Sequence, residues 1–406
     1  MKQHVAARRL AALGVVAAAL VSAAPGGATG LALPARLSRA LHAPLVTYAA
    51  TAAVVIDLTT GRVVYAHNAA LPLRPASNEK LVVTYAALTA LGPAFRIETD
   101  VLGEGAQDGA RWHGDLVLKG FGDPTLSSAD LAALARQVRA DGITTVSGRV
   151  LGDESWFDAH RTAPGWKAAF YINESPPLSA LIVNRGLVGR FTSHNPALSA
   201  AQLFTKALAR AGVRVAGEAS LGRAGEAAVD LAAVDSPTLA SMVHRMDQVS
   251  DNFTAEMLVK ELGAVQAAAG TTAAGIGVVR EQLDDAGVPL TGVRLVDGSG
   301  LSLLDRVTAT ELVSLLRVMW SDPTMQPELL AALPLAGRTG SLHDRMRGTA
   351  AAGVVRAKTG TTDNSTALSG FVGDRYVFSV LINGDPVDWE ASSLAEDRFA
   401  VALAAQ

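Results

Sequence analysis

Three short motifs in this sequence combine hydroxyl, amine and amide side chains at spacings that suit attack on a carbonyl group. They are Ser77-Asn-Glu-Lys80, Ser250-Asp-Asn252 and Lys358-Thr-Gly, in that order along the chain. A serine hydroxyl is a weak nucleophile until a base removes its proton, and a lysine three residues later lies on the same helical face. Lysine is a base only when neutral, and burial or a second cation such as Lys358 favours that form. The first motif therefore predicts Ser77 as nucleophile and Lys80 as its proton acceptor.

The second and third motifs supply groups that could hold a substrate. The Ser250 hydroxyl could relay a proton, and the Asn252 amide could hold a substrate carbonyl. On an edge strand, Lys358 and Thr359 would bind a substrate carboxylate, while Gly360 would let a peptide lie close to the backbone. These residue types predict a peptide substrate with a free carboxyl end.

The oxyanion that forms at an attacked carbonyl needs two backbone amides as donors. The amide of Ser77, at the start of a helix, and that of Thr361, just after the glycine, are the natural pair. We therefore expect Thr361 to belong to the substrate-binding strand.

Each motif taken alone also has a structural explanation. Ser77 could be the N-cap of the helix that follows it. Ser-x-x-Lys and Lys-Thr-Gly each occur once, whereas Ser-x-Asn occurs twice, because Ser193-His-Asn195 also fits. That copy lies among loop residues, whereas Ser250 and Asn252 lie in a helical stretch, so we select the latter. The ordered occurrence of all three motifs favours chemistry over capping.

Length, charge and cysteine content bound the class of protein. A chain of 406 residues suits two domains, or one large domain with an insertion. Its formal net charge of −3 provides no basic field for nucleic acid. The sequence has no cysteine, which excludes disulfides, thiol catalysis and thiolate metal sites. Its scattered histidines lack ligand spacing, so we expect no metal and no cofactor.

Residues 1–24 have the order of a secretory signal. A basic start that includes Arg8 and Arg9 precedes an apolar run and then small residues. The run is too short to span a bilayer; the alternative is an alanine-rich helix of the mature protein. We expect cleavage near Ala23 or Ala24 and an exported protein, periplasmic or in the cell wall, without an integral membrane anchor after cleavage.

Hydrophobic periodicity predicts the elements that position the motifs. Two β-branched runs around Thr-Thr-Gly predict a hairpin, and a helix is expected to begin near Ser77 and end at Gly92. Short strands and glycine turns fill residues 98–235. Helices then return, followed by the strands "TALSGFVG" and "RYVFSVLIN" and a terminal helix. We predict an α/β catalytic domain built from residues 31–97 and 236–406, with a strand-rich inserted domain between them.

The motif set resembles that of class A β-lactamases and penicillin-binding proteins. More specifically, the chain resembles the D-alanyl-D-alanine carboxypeptidases of the penicillin-binding protein 4 family (serine peptidase family S13), in which a long insertion separates the first two motifs. The resemblance runs from about Ala49 almost to the C-terminus. Beyond the motifs it rests on "LKGFGDPTL", "SALIVNRG", "DGSGLS", "LPLAGRTGSLHDRM" and "RAKTGTTDNSTALSGFV". It implies an α/β (α+β), β-lactamase/transpeptidase-like three-layer domain carrying a strand-rich insertion.

The resemblance also implies roles for the motif residues. By this resemblance Ser77 is the acylated nucleophile and Lys80 is its proton acceptor. Ser250 and Asn252 form the second wall of the site. Lys358, Thr359 and Gly360 form the substrate-binding strand, and Thr361 provides an oxyanion amide. The implied substrate is the D-Ala-D-Ala end of a peptidoglycan stem peptide, or the cross-link between two stems. The acyl-enzyme is then hydrolysed, and penicillins trap it as a stable ester.

The chain departs from the family pattern in one respect. The stretch between Lys80 and Ser250 is shorter than in typical members, which carry two inserted domains there. Trp156 and Asp158 are candidates for a pocket that takes the stem side chain. The alternative places Trp156 in the core and Asp158 in a solvated loop.

The same motifs are compatible with other functions. The same Ser77 and Lys80 could serve a β-lactamase or an esterase, although no Glu-x-x-Leu-Asn stretch supplies the deacylating glutamate of class A lactamases. A cell-wall-binding protein without activity is a third candidate.

His244 and His343 are expected in surface or core roles. The stretch from Asp297 is expected to form a tight turn beside the site. Lys80 is our hypothesis for the deacylation base.

Overall fold

The computed structural model describes residues 31–406, of which 33–406 form one compact unit. The predicted secretory signal at residues 1–24 lies outside the described residues. Among residues 31–406, no single helix is long and apolar enough to cross a bilayer. One pair of helices, 252–267 and 272–285, would together be long and apolar enough, but the two are bent against each other by 78°.

The helices are, in chain order, α1 (Leu33–Leu41), α2 (Lys80–Leu91), α3 (Ser128–Ala140), α4 (Pro196–Arg210), α5 (Leu239–Val249), α6 (Asn252–Ala267), α7 (Thr272–Asp285), α8 (Ala309–Ser321), α9 (Met325–Ala332) and α10 (Trp389–Ala404). The strands are β1 (Thr51–Asp57), β2 (Val63–His67), β3 (Glu98–Asp108), β4 (Arg111–Gly120), β5 (Thr145–Val146), β6 (Val150–Asp153), β7 (Leu187–Val188), β8 (Phe191–Thr192), β9 (Arg214–Val215), β10 (Ser220–Leu221), β11 (Val229–Asp235), β12 (Val355–Thr362), β13 (Ser365–Val372) and β14 (Tyr376–Asn383).

An antiparallel five-stranded sheet joins the two ends of the described chain. Its strand order is β12-β13-β14-β1-β2, so β12, which carries the Lys-Thr-Gly motif, forms one edge. The predicted hairpin is β1–β2, and the two predicted strands near the C-terminus are β13 and β14. This arrangement places the third motif on an edge strand, as the sequence analysis expected.

Side chains that alternate along β1 enter two different cores. Val54 packs with α2, α5 and α8 on one face of the sheet, whereas Val55 packs with α1 and α10 on the other. Because both faces are covered, β1 is apolar at nearly every position, unlike a strand with one wet face. The result is a helix–sheet–helix sandwich, which confirms the predicted three-layer fold class.

Helix α2 passes through the centre of one helical layer. Nine consecutive residues from Lys80 to Leu88 are buried, which explains why its sequence is apolar all round. A 3₁₀ turn, Ala76–Glu79, precedes α2, and Gly92 ends it with a φ of +84°. The cap positions are Pro75 and Glu79, so the N-cap interpretation of Ser77 is wrong.

A second sheet lies wholly within residues 98–235. Its main strand order is β10-β6-β4-β3-β11, and β5 joins it by pairing with β4 and β9. Only strands and turns were predicted for these residues, yet α3 and α4 pack against this sheet. A capping box of Ser127 and Asp130 begins α3, and Asn195 caps α4, so short polar residues start both of these overlooked helices. The division into two domains stays a prediction.

Candidate active site

The first motif lies where the 3₁₀ turn meets α2, against edge strand β12. The Asn78 side chain donates to the carbonyl oxygen of Lys358 at 3.2 Å, which ties the turn to the strand. Lys80 Nζ lies 2.8 Å from Ser77 Oγ. The local i,i+3 geometry thus brings the hydroxyl and the amine together, as the spacing predicted.

Three oxygen atoms surround the Lys80 amine, which is fully buried. Besides Ser77 Oγ, they are Asn252 Oδ1 at 2.8 Å and the Ser299 carbonyl oxygen at 2.7 Å. Both carbonyl oxygens can only accept, so they take two N–H groups of the amine. In a neutral lysine the remaining position around Nζ is a lone pair, and it faces the Ser77 hydroxyl. This arrangement suits the removal of a proton from Ser77.

Burial makes the neutral form of both motif lysines accessible near neutral pH. Desolvation lowers the pKa of Lys80 to about 8, against the opposing effect of Asp297 and Glu256. The pKa of Lys358 is lowered to about 7, first by desolvation and then by the charge of Lys80, while Asp247 opposes both. The charge of Lys80 thus acts on Lys358, whereas burial alone accounts for the lowered pKa of Lys80; the predicted effect of Lys358 on the base stays a prediction.

The second motif forms a sharp break between two helices. Ser250 ends α5 in the left-handed region, at φ 58° and ψ 44°, and Asp251 caps α6 through its side chain. The single helical stretch predicted around Ser250 is therefore wrong. The break directs the Ser250 hydroxyl to Lys358 Nζ, at 2.9 Å, while Asn252 reaches Lys80.

The third motif lies along β12 beside the Ser77 turn. Lys358 is fully buried, and Thr359 exchanges a hydrogen bond of 2.6 Å with Ser341. Thr361 is exposed and lies near the end of edge strand β12. A Cβ on Gly360 would lie only 2.9 Å from the Ser77 amide nitrogen. The glycine thus admits the nucleophile turn, a close approach that the sequence analysis assigned to a peptide substrate.

A loop from Asp297 to Ser302 supplies a group that the sequence analysis missed. The Asp297 carboxylate accepts from the amides of Gly300 and Ser302, each at 2.8 Å. Glu256 accepts from the Ser299 amide at 2.8 Å, which directs the Ser299 carbonyl at Lys80. The stretch was expected to be a tight turn beside the site. Its backbone acceptor could not be recognised, because every residue type carries a carbonyl.

Trp156 and Asp158 engage structural partners. Trp156 Nε1 donates to Glu261 at 2.9 Å and packs edge-on against Phe121. Asp158 forms an ion pair with the buried Lys260. Neither side chain has a hydrogen bond to a motif residue within the described chain, and their role in a pocket stays a prediction.

The remaining candidates lie in other parts of the molecule. Ser193 bonds to Ser199 and to the amide of Asn195, which itself caps α4. His244 is exposed, and His343 lies at the surface beside Asp344, with a nitrogen–oxygen distance of 3.1 Å. Within residues 31–406, no group of three or more histidine or acidic side chains is placed to hold a metal ion.

A cavity of about 380 Å³ opens beside the end of β12. Its lining combines three apolar side chains with polar ones, from Phe170, Glu174, Leu301, Thr361, Thr362, Asp363 and Trp389. It offers room for a chain that extends past Thr361.

Comparisons with known proteins agree with the fold. The model of the D-Ala-D-Ala carboxypeptidase 3 (S13) family matches residues 33–190 and 188–406. The chain is 34% identical over 452 residues to a D-alanyl-D-alanine carboxypeptidase of Actinomadura sp. (strain R39), covering 90% of this chain and 83% of that one. It is 32% identical over 345 residues to the carboxypeptidase DacB of Mycolicibacterium smegmatis, covering 79% and 73% of the two chains. The crystal structure of penicillin-binding protein 4 from Haemophilus influenzae superposes with a TM-score of 0.81 at 20% identity, over 92% of this chain and 98% of that one.

Proposed function

The chain belongs to the D-Ala-D-Ala carboxypeptidase (S13) family, and on that premise we propose how its residues carry out the reaction. The protein is a serine-type D-Ala-D-Ala carboxypeptidase that acts on peptidoglycan, and hence outside the cytoplasm. One observation carries the proposal for the site: the buried Lys80 amine lies 2.8 Å from Ser77 Oγ, with its other contacts taken by carbonyl oxygens.

In the acylation step, Ser77 Oγ attacks the carbonyl carbon of the penultimate D-alanine while its proton moves to Lys80. The amides of Ser77 and Thr361 stabilise the oxyanion. Lys358 holds the terminal carboxylate by charge. The C–N bond then breaks, and the proton that Lys80 accepted passes to the leaving nitrogen by way of the Ser250 hydroxyl. D-alanine departs, and Lys80 is neutral again.

In the deacylation step, water attacks the ester carbonyl and gives its proton to Lys80. The ester C–O bond breaks, Lys80 returns the proton to Ser77 Oγ so that its hydroxyl re-forms, and the shortened stem peptide leaves with a new carboxylate. Every group named belongs to the chain itself, so the proposal needs no cofactor.

The same chemistry extends to two further reactants. In a cross-link between stems, the leaving amine belongs to a neighbouring stem, so we propose D,D-endopeptidase activity at this site. A β-lactam carries its carbonyl and carboxylate in a similar arrangement, and we propose that it leaves a stable ester on Ser77. We also propose export through residues 1–24, followed by periplasmic or cell-wall residence.

Mass spectrometry of the purified protein after incubation with labelled penicillin tests this assignment. We expect one long-lived adduct per chain, on the peptide that contains Ser77. An adduct on another serine would overturn the assignment. Rapid turnover of a chromogenic cephalosporin without an accumulating adduct would instead favour a β-lactamase or esterase.

Gly360 provides a second, steric test of the oxyanion site. In Gly360→Ala, the new methyl group must displace the Ser77 amide, because the two would lie 2.9 Å apart. We expect acylation by penicillin to slow by about 10²-fold, the usual cost of one misplaced oxyanion donor.

Gly277→Ala is the matched control for this substitution. Gly277 lies within α7, and a Cβ there would meet nothing within 4 Å. Its acylation rate is expected to equal that of the wild type. Equal rates in both variants would show that Gly360 has no steric role beside Ser77.

A further inference from the structure

The turn that carries Ser250 and Asn252 is held in an unfavourable conformation. Ser250 has a φ of 58°, in a region that costs energy for residues other than glycine. The turn nevertheless places two oxygen atoms on the two motif lysines. Something outside the turn must therefore stabilise it.

Asp251, the middle residue of this turn, forms a bidentate ion pair with Arg185. Arg185 Nη1 lies 2.6 Å from Asp251 Oδ2, and Nη2 lies 2.8 Å from Oδ1. The Asp251 side chain is only 8% exposed, so solvent weakens this pair less than a surface one. The guanidinium also packs over the Phe253 ring, 4.9 Å from its centroid.

The Arg185 backbone is fixed within the region between the first two motifs. Asn184 and Arg185 both adopt positive φ angles, of 51° and 56°. The Asn184 amide donates to the Leu126 carbonyl at 2.8 Å, and its side chain accepts from the Ser128 amide at 3.0 Å. These bonds tie the residue before Arg185 to the start of α3, so the arginine side chain extends towards Asp251 from an anchored backbone.

A second, independent contact comes from the same region. Asn252 Nδ2 donates to the Glu174 carbonyl at 3.0 Å, while Asn252 Oδ1 accepts from Lys80. The Glu174 contact fixes which end of the amide faces the lysine, because only the oxygen can accept from an amine. Two consecutive residues of the turn, Asp251 and Asn252, are thus held by residues 174–185.

We propose that Arg185 is a positioning residue for the carboxypeptidase reaction, acting through Asp251 on Ser250 and Asn252. The inference rests on the proposed function of the same site and assigns the inserted region a part in catalysis. Without the guanidinium, Asp251 keeps only its partners within α6, the Phe253 amide and the Thr254 hydroxyl. We expect Ser250 then to leave the left-handed region. The Ser250 hydroxyl then moves off Lys358.

The test compares Arg185→Met and Arg185→Lys by the rate of Ser77 acylation with labelled penicillin. We expect the methionine variant to acylate about 10²-fold more slowly, the usual cost of misplacing a reacting group by about 1 Å. Lysine keeps the charge but lacks the planar fork, so its rate is expected to be intermediate. A wild-type rate in either variant would overturn the proposal.

Arg161→Met controls for the loss of a bidentate ion pair. Arg161 binds Glu154 in the same inserted region, with distances of 2.7 and 2.6 Å. We expect its melting temperature to fall as far as that of Arg185→Met while its acylation rate stays within about 2-fold of wild type. Equal slowing in both variants would reduce Arg185 to a general stabilising role and would contradict the proposal.

A double-mutant cycle with Ser250→Ala separates positioning from general damage. If Arg185 acts through Ser250, its removal costs much less once the hydroxyl is absent. Additive losses would overturn the proposal. Failure here is distinct from failure of the proposed function, because the adduct in Arg185→Met still maps to Ser77 when only the positioning inference is wrong.

Discussion

Replacing Ser77 by alanine is expected to remove the penicillin adduct and to lower D-alanine release by at least about 10⁴-fold, as loss of a catalytic nucleophile does in other serine enzymes. The effect should be chemical rather than structural. Lys80 keeps two acceptors, the Asn252 side chain and the Ser299 carbonyl, so the buried amine retains hydrogen-bond partners.

The measurement is D-alanine release from a stem pentapeptide, together with intact-mass analysis after penicillin treatment. Ser193→Ala is the matched control, since Ser193 belongs to the other Ser-x-Asn copy and its hydroxyl bonds to Ser199 and to the Asn195 amide. A stoichiometric adduct in Ser77→Ala would contradict the assignment. A wild-type protein that binds peptidoglycan but never releases D-alanine would favour a binding protein instead.

Local spacing accounts for the part of the site that the sequence predicts without further information. Ser77 and Lys80 are three residues apart in a helical turn, so their contact follows from backbone geometry. The meeting of Lys358 with Ser250, 108 positions apart, does not follow from any local rule. The order of motifs along a chain contains no distances, so this contact was expected only from the resemblance to a known family.

Features carried by the backbone could not be predicted. The Ser299 and Glu174 backbone carbonyls orient Lys80 and Asn252. Every residue type carries such a carbonyl, so the sequence gives no sign of which one is used. The left-handed φ of Ser250 was missed because apolar periodicity runs through the break and indicates one helix. That break is what sends Ser250 and Asn252 towards different lysines.

The fold shows the same division between local and long-range information. The β1–β2 hairpin and the ends of α2 were predicted from turn residues and periodicity. Helices α3 and α4 were missed because their small apolar residues sit among glycine turns, which dominated the pattern. Ser127 with Asp130 at the start of α3 was a readable capping box.

Replacing Lys80 by methionine is expected to slow acylation by about 10²–10⁴-fold, the usual contribution of a general base. Methionine keeps much of the buried volume but cannot accept the Ser77 proton. The acceptors on Asn252 and Ser299 lose their donor, but the desolvation of the amine that lowers its pKa is removed as well, so the free energy of unfolding should change by less than about 3 kcal/mol. Lys206→Met, on the exposed face of α4, is the control and should change neither quantity.

The pH profile shows whether Lys80 acts as the base. Only the neutral amine accepts a proton, and burial lowers the Lys80 pKa to about 8. Acylation of the wild type should therefore rise with pH from 6 to 8, as the fraction of neutral amine grows. In Lys80→Met that rise should be lost. A variant that acylates more slowly but keeps the same rise would contradict the role of Lys80 and assign the rise to another group.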